Sequence, residues 1–90
     1  MRRHRLLGEL RSIIAELSEL EGEQLRKRAD DALCHRYVLV LSQVPHVPSR
    51  LRLAPSDDAD RRWGVTSFTL LSKALALELF VKEANTGGQG

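Results

Sequence analysis

The segment from residue 67 to residue 84 predicts a helix that is apolar around most of its circumference. Two neighbouring stripes recur at helical spacing: Phe68, Leu71, Leu75 and Leu79 form one, and Leu70, Ala74, Leu77 and Val81 form the other, with Ala76 and Phe80 adding to them. The polar face that is left is narrow and holds Thr69, Ser72, Lys73 and Glu83. A helix that is apolar on most sides is buried on most sides. This segment therefore constrains the fold most strongly, because one short chain has to cover it.

A chain of 90 residues forms one domain, residues 1–90, whose core is small. Domains of this size commonly gain stability from disulfides, a metal or a partner subunit. The single cysteine, Cys34, cannot form an intrachain disulfide, and a lone thiol fits a reducing cytoplasm. We therefore expect a homodimer or another protein partner. The predicted interface comprises Phe68, Leu71, Leu75, Leu79, Phe80 and Trp63.

The other apolar patterns also predict helices. A short N-terminal helix is expected over residues 6–20, after a basic tail at residues 1–5, because Leu6, Leu10, Ile13, Leu17 and Leu20 lie on one face. A break is expected at residues 18–22, where Gly22 interrupts the pattern and Ser18 with Glu21 has the spacing of a capping box.

Residues 25–44 continue at helical spacing, and the helix should end before Pro45. The alternative is a β-hairpin within residues 37–53, because residues 37–41 are rich in strand-forming residues and residues 50–53 alternate. The helical reading is preferred, since its pattern starts well upstream.

Turn-forming residues predict where the remaining segments start and stop. All three prolines fall in residues 45–56, which predicts a loop. Ser56 can cap a short helical turn that runs to Trp63, and Thr66 or Ser67 can cap the last helix. The three glycines of residues 85–90 predict a helix stop and a disordered tail. The fold class that follows is all-α.

No pattern in the sequence nominates a catalytic or metal site. Cys34 and His35 are adjacent, but His4 and His46 are scattered, whereas zinc sites need about four ligands in close pairs. The acids Asp57, Asp58 and Asp60 lack the glycine and glutamate of a calcium loop. We therefore expect no cofactor and no enzyme activity. The sequence also lacks a membrane-spanning run and a secretory signal.

The formal net charge is +2, and most of the basic excess lies in residues 1–5. Arg26, Arg28 and Arg36 give the predicted second helix a basic face. Such a face can contact phosphates, an acidic protein or only water, and we name the three arginines as candidate polar contacts to a partner.

A spaced pattern in the first half of the chain comprises residues 10–14 (Leu-Arg-Ser-Ile-Ile), Leu20, Leu25, residues 31–33 (Asp-Ala-Leu) and residues 35–36 (His-Arg). This pattern, over about 27 residues, resembles the TraM family of quorum-sensing antiactivators. It implies a helical hairpin of two long antiparallel helices, dimerisation through those helices, and a LuxR-type transcription activator as the target. From Val38 onward no residue can be matched, so no contact residue is carried over.

Two classes of function remain open at this point. The first is a dimeric regulator that binds and inhibits another protein, such as a transcription activator. The second is a small basic DNA-binding regulator, in which the N-terminal arginines and Arg26, Arg28 and Arg36 would contact phosphates. The wide apolar segment favours the first.

Overall fold

The computed structural model describes residues 2–53 and 63–87, and these are mainly helical. Helix α1 spans Arg2–Ser18, α2 spans Glu23–Arg26, α3 spans Asp31–Leu41 and α4 spans Ser67–Gly87, while Ser49–Leu51 forms one 3-10 turn. Within these residues no strand forms, and Arg28 and Thr66 form an isolated antiparallel bridge. The all-α prediction is confirmed.

The two longest helices, α1 and α4, pack against each other in opposite directions. Leu20, just past the end of α1, lines a hollow with Ser67, the first residue of α4. Further along, Arg11 in the middle of α1 contacts Glu78 in the middle of α4. Helix α3 also runs opposite to α1, because Leu33 lies near Glu16 while Gln43 lies near Arg5. Helix α1 contacts both α3 and α4.

One hydrophobic core joins these helices. It is built from one stripe of α1, one stripe of α4, most apolar residues of α3, one residue of the segment before α3 and the loop that follows α3: Leu6, Leu10, Ile13, Leu17, Ala29, Leu33, Cys34, Tyr37, Val40, Leu41, Val44, Val47, Leu51, Leu70, Ala74, Leu77 and Val81. The hydroxyl of Tyr37 is buried and donates to the carbonyl oxygen of Leu51 at 2.6 Å, which fixes the 3-10 turn against α3. The core thus uses the second of the two predicted α4 stripes.

The N-terminal helix differs from its prediction. It begins at Arg2 rather than at residue 6, so residues 2–5, expected as a basic tail, form its first turn and the helix is long rather than short. Its end at Ser18 agrees with the expected break. Ser18 does not cap the next helix; Gly22 stands at that position with a φ of 50°, in the left-handed region that glycine adopts without strain.

The predicted continuous helix over residues 25–44 is wrong, because the chain is extended at residues 27–29. There the backbone N–H of Ala29 donates to Val65 O at 2.7 Å, and that of Ser67 donates to Lys27 O at 2.8 Å. A new helix then starts at Asp31, whose N-cap Asp30 accepts from the N–H of Ala32 at 2.7 Å. Tertiary pairing and a local cap together outweigh the continuous helical periodicity.

Residues 31–41 are helical, not part of a hairpin, and the helix ends before Pro45 as predicted. The described part of the predicted loop, residues 45–53, contains a 3-10 turn at Ser49–Leu51. Helix α4 is capped by Thr66, whose Oγ1 accepts from the N–H of Thr69 at 3.1 Å, as expected. It continues to Gly87, past the stop expected at residue 85. The predicted cap at Ser56 and the turn after it lie outside the described residues, as do residues 88–90.

Candidate protein-binding surface

Helix α4 has two apolar faces, and the chain covers one of them. The inner stripe of Leu70, Ala74, Leu77 and Val81 is buried in the core. At about 100° per residue, the side opposite that stripe carries Phe68, Ser72, Leu75 and Leu79. We call these four residues the α4 outer face.

The three apolar side chains of the α4 outer face are strongly exposed. Phe68 is 59% exposed, Leu75 48% and Leu79 56%. Among the described residues only one other large hydrophobic side chain, Leu39, is comparably exposed, at 49%, and it lies on α3. Apolar side chains scattered singly are ordinary on a protein surface, whereas a contiguous group is a candidate contact site. The α4 outer face is such a group.

An ion pair borders this face on the side of α1. The Nε of Arg11 donates to Glu78 Oε2 at 2.9 Å, and Lys82 Nζ lies 3.6 Å from the same oxygen. The hydrogen bond from Arg11 is the main cause that lowers the pKa of Glu78 below its ordinary value, so this carboxylate stays charged beside the apolar stripe. Leu71 is half-buried on this border.

The opposite border is covered by the chain itself. Lys73 Nζ donates to the carbonyl oxygen of Arg50 in the 3-10 turn, and Phe80 is half-buried against the core. Trp63 is also half-buried and packs on the core. Of the six predicted interface residues, the structure therefore brings Phe68, Leu75 and Leu79 together on one open face. It places Leu71 at the edge and Phe80 and Trp63 against the core.

A hollow opens beside Phe68 at the start of α4. It has a volume of about 430 Å³ and is lined by Gly22, Leu25, Arg26, Thr66 and Phe68. Leu25 is half-buried here, so apolar surface continues from the α4 outer face onto α2. We call this the α2 hollow. It gives a partner side chain a recess next to an otherwise convex helix.

The three arginines named from the sequence do not form one basic face. Arg36 bonds to Glu16 at 2.7 Å and to Ser12 at 2.9 Å, and lies 3.7 Å from Glu9, so it ties α3 to α1. Arg26 is exposed on α2 and lies 3.9 Å from Glu23. Arg28 is exposed at the bridge to Thr66.

The buried polar groups have structural roles. Burial, with a smaller effect of Asp31 and Asp30, raises the pKa of Cys34 to about 11, so this fully buried thiol stays protonated and unreactive at neutral pH. Burial also raises the pKa of Tyr37, the donor to Leu51. In residues 2–53 and 63–87 no group of His, Cys, Asp and Glu is arranged to hold a metal ion. No helix in the same two ranges has the length and apolarity to cross a membrane.

The sequence analysis assigned Ser72 to the polar face of the last helix and did not include Ser72, Leu25 or Leu39 in the candidate surface. Ser72 could have been found, because it stands at heptad spacing between Phe68 and Leu75. Leu25 could not have been found, because its position beside Phe68 depends on the break at residues 27–30. Comparisons with models of protein families, with curated proteins and with solved structures gave no match.

Proposed function

We propose that this chain is a small regulatory protein that acts by binding another polypeptide, and that the α4 outer face is its contact surface. The observation that carries the proposal is the exposure of Phe68, Leu75 and Leu79 on a helix whose inner stripe is already fully packed. The monomer's own core does not need these side chains. A partner that covers them removes apolar surface from water, which stabilises the complex by about 25 cal/mol per Å² of buried surface.

The surroundings of the face suit a helical partner. Its apolar residues lie along one line, as in surfaces that receive the apolar side of an amphipathic helix. Charged groups flank the line at Glu78 and Lys82, and the α2 hollow lies at one end. An apolar centre with a charged rim is the usual composition of a specific protein interface.

For the target, we propose a transcription activator of the LuxR type, which the chain would bind and inhibit. The support is the resemblance of residues 10–36 to TraM antiactivators. Two long helices, α1 and α4, lie antiparallel in this chain. The sequence predicted instead that the long pair would be the helices at residues 25–44 and 67–84. Binding would hold the activator away from its DNA.

DNA binding draws less support from the arrangement of charges. Arg36 is engaged by two glutamates and a serine, and Arg26 lies beside Glu23. A nucleic-acid-binding surface usually presents arginines and lysines clustered on one face, whereas these two arginines lie beside acids. We therefore retain protein binding as the function.

The test is capture of partners with three versions of the protein. Wild type, Leu79→Glu and Ala15→Glu are immobilised and exposed to extract of the source cells, and bound proteins are identified by mass spectrometry. Ala15 is exposed on the outer side of α1 and serves as the matched control. We expect one partner to be held by wild type and by Ala15→Glu and lost with Leu79→Glu.

The captured protein is then purified and mixed with each version, and the complex is followed by size-exclusion chromatography. A partner that co-elutes equally with Leu79→Glu would contradict the role of the α4 outer face. Equal retention of duplex DNA and of protein partners at low salt would contradict the preference for protein binding.

A further inference from the structure

A second hollow lies where the end of α1, α2, the start of α3 and the start of α4 meet. It has a volume of about 490 Å³, and its lining includes Leu20, Leu33 and Ser67, the first residue of α4. Sites for small molecules are commonly of this size and combine apolar residues with a few polar groups. We call it the Ser67 hollow.

The hydroxyl of Ser67 points to a ligand in this hollow. Within residues 2–53 and 63–87 it has no hydrogen-bond partner, although only 4% of Ser67 is exposed. The backbone N–H of Ser67 is engaged, since it donates to Lys27 O at 2.8 Å. No fully enclosed side-chain oxygen or nitrogen in the same two ranges lacks a partner, so the Ser67 oxygen is not enclosed and opens into the hollow that Ser67 lines. Buried hydroxyls are normally hydrogen-bonded, which makes this one a donor in need of an acceptor.

The charge left unmatched around the hollow is positive. Lys27 and Arg28 line it, and neither side chain forms an ion pair with an acid in the described part of the chain. The two acids of the lining are engaged, because Glu16 bonds to Arg36 and Asp30 caps α3, each at 2.7 Å. The N-terminus of α4 adds partial positive charge. The hollow therefore favours an anion, and a single negative charge over two, because the two acids lie close by.

The rest of the lining favours a carboxylate that carries an apolar body. Leu33 is buried and Leu20 is half-buried, so both offer apolar surface beside the polar groups. The Oε1 of Gln24 accepts from the N–H of Glu21 at 3.2 Å, which leaves the amide N–H groups of Gln24 to donate. A planar carboxylate also fits the paired N–H groups of a guanidinium, such as that of Arg28.

We propose that the Ser67 hollow binds a monocarboxylate with a small apolar body, either an apolar organic acid or the C-terminal residue of a peptide. The carboxylate accepts from the Ser67 hydroxyl and from Arg28, and the apolar body lies on Leu20 and Leu33. Capture of a terminal carboxylate is a known mode of peptide recognition. This inference does not rest on the proposed function, because it uses no residue of the α4 outer face.

NMR titration of the isotope-labelled full chain at constant ionic strength tests the site. The probe is N-acetylleucine, and its matched control is N-acetylleucinamide, which has the same body without the carboxylate. We expect the acid to shift the backbone amide signals of Ser67 and Leu33 saturably, with a dissociation constant of about 1 mM. The amide should bind about tenfold more weakly or less, because it lacks the charge. Equal binding of the amide, or no saturable shift with the acid, would overturn the proposal.

Substitutions assign the two donors. Ser67→Ala and Arg28→Met should each weaken binding of the acid about threefold or more, since each removes one hydrogen bond. The control Arg52→Met removes an exposed arginine outside the hollow and should bind the acid as wild type does. Circular dichroism establishes that each variant is folded. Wild-type affinity in Ser67→Ala or in Arg28→Met would overturn the assignment.

Three further probes define the class of ligand. Acetate lacks the apolar body, inorganic phosphate carries more than one charge near neutral pH, and hexanoate represents a free organic acid. We expect acetate and phosphate to bind about tenfold more weakly than N-acetylleucine, because neither covers the two leucines. Tighter binding of phosphate would overturn the choice of a monocarboxylate. Tighter binding of hexanoate than of N-acetylleucine identifies an organic acid as the ligand, and the reverse order identifies the C-terminal residue of a peptide.

Discussion

Helices α1 and α4 pack against each other, yet their outer sides are opposite in character. Helix α1 buries Leu6, Leu10, Ile13 and Leu17 and turns charged and polar residues outward, among them Glu9, Ser12 and Glu16. Helix α4 buries a stripe of the same length and turns Phe68, Leu75 and Leu79 outward. One buried stripe is therefore enough to dock a helix in this fold. The second stripe of α4 exceeds what folding needs, which is why we assign it to binding.

The largest expected effect comes from making the same change, leucine to alanine, once on each face of α4. Leu77 is fully buried and Leu79 is 56% exposed. Leu77→Ala should lower the free energy of unfolding by about 2–5 kcal/mol, because it removes buried methyl groups and leaves a cavity. Leu79→Ala should change it by about 0.5 kcal/mol or less. Urea unfolding at low protein concentration measures both, and similar losses would show that the α4 outer face belongs to the monomer's core.

The second largest effect concerns the 3-10 turn, which covers one border of α4. Tyr37→Phe removes the hydrogen bond to Leu51 O and leaves that carbonyl without its donor. We expect a loss of about 1–3 kcal/mol in the free energy of unfolding. Hydrogen exchange should also rise in residues 49–51, which pack beside α4. An unchanged urea midpoint would mean that this turn is not held through Tyr37.

A smaller effect tests the polar outer side of α1. Arg36→Met removes the contacts to Glu16, Ser12 and Glu9, and its control, Arg26→Met, removes one long contact on an exposed helix. Arg36→Met should cost about 0.2–1 kcal/mol at low salt, and less at high salt, where surface charges are screened. Arg26→Met should leave the urea midpoint unchanged. Equal effects would show that α3 is not tied to α1 through Arg36.

The smallest effect concerns the ion pair between α1 and α4. The pKa of Glu78 is lowered in the folded state, so the stability that it contributes is present above the ordinary glutamate pKa and is lost as the pH falls through the folded value. Wild type should therefore lose more stability on acidification than Glu78→Gln does. Urea midpoints at neutral and at acidic pH provide the comparison. Parallel pH dependences would contradict a role for the Arg11–Glu78 pair.

Sequence periodicity predicted the helices correctly where neighbouring residues determine the structure. It failed where pairing with distant residues determines it. The α1 stripe, the break near Gly22, the end of α3 before Pro45 and the cap at Thr66 all follow from neighbouring residues. The extension at residues 27–29 depends on bonds to Val65 and Ser67, which no local pattern reveals. The start of α3 at Asp31 did carry a local signal, since Asp30 is a good N-cap residue.

The candidate surface was also predicted only where neighbouring residues determine it. Spacing alone identified two apolar stripes on α4, because helical periodicity is a local property. It did not reveal that Phe80 and Trp63 pack on the core, which follows from the position of the loop after α3. The binding role of Arg36 could not be judged either, since its glutamate partners lie on another helix.

The packing of α1 on α4 has a consequence for how the protein is made. Arg11 and Glu78 are 67 positions apart, so α1 is synthesised well before the helix that it packs against. At about 5–20 residues per second, ribosomes leave that gap open for several seconds. During this time α3 covers only part of the hydrophobic face of α1, and the rest of that face is open to chaperones and to aggregation. The domain therefore closes only after α4 has been synthesised.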